Sequence, residues 1–162
     1  MIDLKKSYPL KGIIQIGIAK MVANSPDNQQ KIIEDAMYVL AMITGQKPVV
    51  VKAKKSEAAF KLRKGMPVAV LVTLRKKRLQ NFIQKLVTYA LPRMKDFYGL
   101  KKNNFDNYGN INLGIKEITI FPEAVSDKIK YNFGFEINLI ASKKKKEENL
   151  NMWRELGFPI KL

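Results

Sequence analysis

The sequence predicts an α+β fold, an antiparallel sheet with helices on one face and an irregular insert before the last strand. Three observations predict it. Short β-branched runs alternate with a period of two, longer runs repeat at three-and-four spacing, and the two kinds follow the order β-α-β-β-α-insert-β-α. Residues 11–19 (KGIIQIGIA) place Ile14, Ile16 and Ile18 on one face, with Ile13, Gln15, Gly17 and Ala19 on the other. The following NSPD is a helix start, with Ser25 as N-cap, Pro26 in the first helical position and Asp27 in the first turn. Ile32, Ile33, Ala36, Met37, Leu40 and Ile43 then mark a buried stripe, and Gly45 ends the helix.

A strand over 48–53 and another over 67–75 flank a basic connection, KKSEAAFKLRKG. In the second strand Val68, Val70, Val72 and Leu74 oppose Ala69, Leu71, Thr73 and Arg75. Residues 76–91 carry the stripe Leu79, Phe82, Ile83, Leu86, Val87 and Ala90, and Pro92 is expected to kink or end that helix. Residues 97–132 are irregular and rich in Asn and Gly, with short apolar pieces at 111–115 and 118–121. Alternation returns at 133–141 (FGFEINLIA), and a last helix over about 145–156 packs Leu150, Trp153 and Leu156 before Gly157. This is the split-βαβ plan, ferredoxin-like and RRM-like, in one domain over 1–162. Its other sheet face would carry Gln15, Gly17, Thr73, Arg75, Gly134, Glu136 and Asn138, small and polar residues that leave the face open to solvent or to a partner.

Composition narrows the chemistry. Among 162 residues there is no Cys and no His, so thiol nucleophiles, thiolate metal sites and imidazole triads are excluded from this chain. No apolar run approaches the ~18 residues of a membrane span, and the opening MIDLKKSYPL has no signal-like stretch. Glycines in RKGMPV and NYGNINLG lack phosphate-loop spacing, and neighbouring Glu147 and Glu148 point apart on a helix. We expect no enzyme, cofactor, metal or membrane partner.

Charge points elsewhere. The formal net charge is +16. Residues 1–46 and 103–162 each contribute +1, whereas residues 47–102 hold sixteen Lys and Arg against Glu57 and Asp96, a net +14. A localised excess of this size is the electrostatic footprint of a polyanion, most often nucleic acid. Loop 52–64 alone has six cations, Lys52, Lys54, Lys55, Lys61, Arg63 and Lys64, and Arg75, Lys76, Lys77 and Arg78 follow. Together they could supply the ~6–10 phosphate contacts that give steep salt dependence. Phe60 in that loop is a packing residue or, second, a stacking one. The run Lys143–Lys146 is a solvated loop or, second, an RNA-backbone contact. The strand that would carry stacking aromatics in the common RNA-binding fold is MPVAVLVTLR, which has none. Recognition would therefore use phosphates, ribose hydroxyls and shape.

Three separated segments resemble one known family. TGQKPVVVKAKKSEAAFKLRKGMPVAVLVTLR, LVTYALPRMKDFYGL and FDNYGNINLGIKEITIFPE, with the closing FPI, are similar to the universal 5S-rRNA-binding ribosomal protein L five family, bacterial or organellar type. The resemblance spans roughly 7–162. It implies a structural constituent of the large ribosomal subunit, seated on 5S rRNA or equivalent rRNA in the central protuberance beside neighbouring proteins there. It also implies a contact to P-site tRNA and a bridge to a small-subunit head protein. Carried over, the rRNA-binding residues would be Gln15, Gln46, Lys47, Thr73 and Arg75. The tRNA-contacting loop would use Lys54, Lys55, Ser56, Phe60, Lys61 and Arg63, and the bridge would fall within 97–132. The alternative is a free-standing RNA-binding module or RNA chaperone outside the ribosome. Three departures stand out: a long N-terminal helix is not matched, Gln15 stands where the family has Asn, and LRKKRLQ lacks the usual glycine after LR. The short start and the Lys/Ile/Asn-rich composition favour an organelle-encoded, mitochondrial chain over a bacterial cytoplasmic one.

Overall fold

Alternation in the strands becomes burial in the computed structural model, which describes residues 8–162. The strands are β1 (Lys11–Gly17), β2 (Val49–Lys52), β3 (Pro67–Leu74), β4 (Ile111–Ile115) and β5 (Phe135–Ile140). They form one antiparallel open sheet in the order β2-β3-β1-β5-β4. Strands β1 and β2, joined through helices, are separated by β3, and β3 and β5 are separated by β1. That separation is the split of each βαβ unit, and the expected fold class is borne out. By packing, the described residues divide into two compact units, Ile14–Val72 with Ile115–Glu136, and 8–13 with Thr73–Gly114 and Ile137–Leu162. We call them the loop unit and the corner unit.

In the loop unit, Ile14, Ile16, Ile18, Val70 and Val72 are all at most 1 % exposed, as the period of two requires. Helix α2 (Gln29–Thr44) buries Ile32, Ala36, Val39, Leu40 and Ile43, so Val39 replaces the expected Met37, which is half-buried. Gly45 takes φ +68° and donates its amide to the Ala41 carbonyl, a left-handed cap that any side chain would strain.

The helix start differs from expectation. A short helix α1 (Ala19–Asn24) comes first, and Ser25 closes it by donating its amide to the Met21 carbonyl at 3.0 Å. Pro26–Asn28 form a single 3₁₀ turn, and Ser25 makes no side-chain cap. With the Ser25 backbone already engaged, Pro26 can begin only a tight turn, and the α-helix starts three residues late.

In the corner unit, α3 (Lys76–Lys85) passes into a π-helical turn over Leu86–Ala90 and a last turn, α4 (Leu91–Arg93). Pro92 neither ends the helix nor breaks it sharply. The Leu91 amide reaches back five residues to Leu86, and this wider turn absorbs the register change that the missing Pro92 amide imposes. A second correction concerns the insert. Residues 111–115 are a true edge strand, with Ile111, Leu113 and Ile115 buried and Asn112 and Gly114 exposed. The neighbouring Asn and Gly hide this alternation in the sequence. Helix α5 (Lys146–Glu155) buries Trp153 fully, and Gly157 at φ +91° turns the chain so that Phe158 meets the indole edge-on at 5.5 Å. Among the described residues no helix is long and apolar enough to cross a membrane.

Candidate nucleic-acid interface

The basic connection between β2 and β3 is an ordered extension of their hairpin. Ala53 and Met66 continue the pairing, with the Ala53 amide donating to the Met66 carbonyl and Gly65 to Ala53, each at 2.8 Å. Glu57 and Leu62 exchange both backbone bonds, at 2.9 and 3.0 Å. Between them Ala58–Phe60 make a 3₁₀ turn, which Lys61 leaves in the left-handed region at φ +52°. The Ser56 hydroxyl oxygen accepts the Lys64 amide at 3.0 Å, so Ser56 holds the loop's shape. Lys54, Lys55, Lys61, Arg63 and Lys64 all stand exposed on this frame. Phe60 is 67 % exposed, which removes the packing role and leaves the ring available for a partner. The loop residues Lys61, Leu62 and Arg63 line a cleft of about 960 Å³ together with Val22, Pro26 and Met66.

The remaining site residues lie on strands and their ends. In the loop unit, Gln15 donates from Nε2 to the Glu136 carboxylate at 2.7 Å, and Gly17 and Gly134 are exposed. The amide thus sits beside an acid that sequence reasoning placed on the same face without pairing the two. Gln46 is half-buried just beyond the α2 cap, and Lys47 beside it is exposed. In the corner unit, Thr73 is half-buried and Arg75 exposed at the start of α3. Arg75 is extended and Lys76 takes φ +51°, the left-handed conformation that glycine adopts without cost. Lys76, which stands where the resemblance expects a glycine, therefore carries a strained conformation. A cavity of about 670 Å³ opens here, lined by Tyr8, Leu10, Arg75, Lys76 and Gln80. The Tyr8 hydroxyl is buried, and that burial pushes its pKa well above the ordinary phenol value, so it remains a proton donor beside the cations.

Sequence reasoning missed a polar knot in the corner unit. Asp106 accepts the amides of Tyr108 and Asn110 at Oδ1, at 2.8 and 2.9 Å, and the Asn110 side-chain amide at Oδ2, at 2.7 Å. Burial pushes its carboxyl up, but these bonds and one with Gly109 outweigh that and hold it below the usual carboxylate value. Asn110 in turn accepts the Ala141 amide at 2.8 Å. Asn149 is fully buried and spends its whole side chain here: Nδ2 donates to the carbonyls of Tyr108 and Lys143 at 2.7 and 2.9 Å, and Oδ1 accepts the Lys143 amide at 3.0 Å. Trp153 Nε1 donates to the Gly109 carbonyl at 2.8 Å. Gly109 suits this place, because φ +82° strains any side chain and a Cβ would lie 3.1 Å from the Lys146 carbonyl oxygen. The one available signal was the NYGN turn, which names neither Asn149 nor Trp153 as its partners.

Among the described residues no group of His, Cys, Asp or Glu could hold a metal. Exposed cations on fixed backbone, with hydroxyl and amide side chains nearby, can bind phosphate and ribose but offer no acid–base pair for turnover.

Comparison with known proteins agrees with this chemistry. Residues 13–63 match the family model described as Ribosomal protein L5, and residues 67–160 match that of the ribosomal L5 family C-terminus. The large ribosomal subunit protein uL5 of Spiroplasma kunkelii is 43 % identical over 164 residues, covering 98 % of this chain and 91 % of the relative. That of Fusobacterium nucleatum is 43 % identical over 151 residues, 93 % and 80 % of the two chains. That of Trichodesmium erythraeum is 41 % identical over 157 residues, 97 % and 86 %.

Proposed function

This chain belongs to the ribosomal protein L5 family, structural and non-enzymatic constituents of the large ribosomal subunit, and from that premise we propose two distinct RNA contacts for it. The first is with 5S rRNA or equivalent central-protuberance rRNA, through Gln15, Gln46, Lys47, Thr73 and Arg75. The second is with P-site tRNA, through Lys54, Lys55, Ser56, Phe60, Lys61 and Arg63. A bridge to a small-subunit head protein falls within 97–132, and neighbouring proteins of the protuberance complete the surroundings. The whole chain acts as one ribosomal-protein domain.

One observation carries this reading: the +14 of residues 47–102 culminates in a solvent-exposed hairpin extension that carries six cations and one acid, Glu57. Like charges held this close repel one another, and folding does not require them; a phosphate backbone neutralises them. Phosphate contact needs no cofactor and no catalytic pair. The rRNA contacts differ in kind, because two amides, a hydroxyl, one ammonium and one guanidinium read phosphate, ribose and shape.

Filter binding across a salt series tests the division. Replacing Thr73 with Val and Arg75 with Gln is expected to weaken binding to isolated 5S rRNA. Changing Lys54, Lys55 and Lys61 to Gln spares that affinity, and the loss falls on tRNA contact in reconstituted large subunits. Equal loss of 5S rRNA affinity from both sets would sink it. The mitochondrial placement rests on composition, while the relatives compared above are bacterial. Detecting the chain by mass spectrometry only in cytosolic ribosomes would overturn it.

A further inference from the structure

We propose that the exposed Tyr108 ring and the lysines Lys143–Lys145, tied together by the buried side chain of Asn149, form a further RNA-contact surface that takes an unpaired base and its flanking phosphates. The inference rests on the ribosomal reading above and uses none of the residues named there for rRNA or tRNA contact; Tyr108 lies within the 97–132 segment given to the small-subunit bridge.

The geometry begins with Tyr108. Its amide is held by Asp106 at 2.8 Å and its carbonyl by Asn149 at 2.7 Å, so side chains fix the backbone on either side of the ring. The residue after it is held too, by Trp153 at 2.8 Å. Yet the residue is 67 % exposed. A large aromatic that packs on little, on backbone pinned this firmly, is a preorganised contact: a partner need not spend free energy ordering it.

The same Asn149 nitrogen that holds Tyr108 holds the Lys143 carbonyl at 2.9 Å, so the two carbonyl oxygens lie within about 5.6 Å of each other. Residues 35 apart in the chain thus become neighbours. Lys143, Lys144 and Lys145 are exposed, and Lys146 is half-buried where α5 begins. Asp106, the acid of this knot, already accepts three hydrogen bonds with its carboxylate. Glu147 and Glu148 follow on α5 and are exposed.

Cations beside an aromatic face match a single nucleic-acid strand. Phosphates pair with the ammonium groups, and a base released from its helix presents a π-face to the ring. A paired stem offers phosphates but no free base face, so it engages the lysines alone. An acidic protein segment would likewise leave the ring without a partner.

The test uses the full chain with Lys54, Lys55, Lys61 and Arg63 changed to Gln, which silences the hairpin loop. Its binding to a labelled twelve-nucleotide oligouridylate and to a twelve-base-pair RNA duplex is followed by fluorescence anisotropy over a salt series. Tyr108→Ala is expected to weaken the single strand by roughly ten-fold or more and the duplex by less than two-fold, and Tyr108→Phe to retain wild-type affinity. Changing Lys143, Lys144 and Lys145 to Gln should lower the single-strand salt slope by about two. Unchanged single-strand affinity in Tyr108→Ala, or equal loss on both probes, overturns the proposal. So does full competition by an oligoglutamate peptide that is insensitive to Tyr108→Ala. Because the ring is exposed, the variant folds, and a melting curve verifies it. Retained 5S rRNA binding alongside a null result would sink this inference alone, whereas loss of all RNA binding by the unmodified chain would sink the parent reading.

Discussion

The hairpin loop of the loop unit and the Asp106–Asn149 knot of the corner unit solve the same problem, holding exposed groups in place, by opposite means. The loop is held by backbone: Ala53 with Met66, Glu57 with Leu62 and a 3₁₀ turn between them, to which the Ser56 hydroxyl adds a bond from the Lys64 amide. The knot is held by buried or half-buried side chains, above all Asn149 and Trp153 of α5 bonding to the backbone of the 106–110 turn. A loop built on backbone tolerates changes in its side chains and can carry dense charge. A knot built on side chains is specific and fails when one member is lost, because buried polar groups are costly when unpaired.

The most severe way to sharpen that contrast is Trp153→Ala. Losing a fully buried indole, its bond to Gly109 and its edge contact with Phe158 is expected to cost about 3–5 kcal/mol, read from urea unfolding. Asn149→Ala follows at about 2 kcal/mol, since three bonds vanish but the freed backbone groups can reach water. A loss below about 0.5 kcal/mol would show that the knot carries no more stability than the loop.

At the α3 start, Lys76→Gly should exceed Lys76→Ala in stability by roughly 1 kcal/mol, because only glycine relieves the left-handed strain while both remove the charge. Equal stabilities would mean that φ +51° is not strained there. Asp106 gives a smaller, pH-gated effect. Its folded pKa is lowered, so its contribution is present above the ordinary carboxylate value of 3.8 and is lost as pH falls through the folded value. The stability gap between the wild type and Asp106→Asn should therefore be constant near neutrality and shrink in acid. A gap that widened in acid would reverse the sign. Least of all, changing Lys54, Lys55, Lys61 and Arg63 to Gln should alter stability by less than about 0.5 kcal/mol, and a larger loss would show that the loop is not held by backbone alone.

The legibility of the two regions differs for the same physical reason. Charge density is a property of adjacent residues, so counting along the chain located the loop. Its rigidity was not legible, nor was the exposure of Phe60, because both depend on how the hairpin continues past β2. The knot joins Asn149 to Tyr108 across 41 positions and Trp153 to Gly109 across 44, and no local pattern spans such distances. Strand β4 was hidden similarly, since only a neighbouring edge turns five Asn- and Gly-flanked residues into a strand. The π-helical turn before Pro92 was half legible: proline announces a disturbed helix, but the surroundings choose how the chain absorbs it.

The sequence by itself determined the α+β class, the two principal helices, the central strands and the site of the charge. Each follows from periodicity or local composition, which short-range sterics and solvation convert directly into structure. Only the tertiary structure decided that Ser25 closes one helix instead of opening the next, that Lys76 bears a strained conformation, and that Tyr108 stands beside Lys143. Those outcomes depend on hydrogen bonds and packing between segments far apart in the chain, which form only once the fold has brought them together.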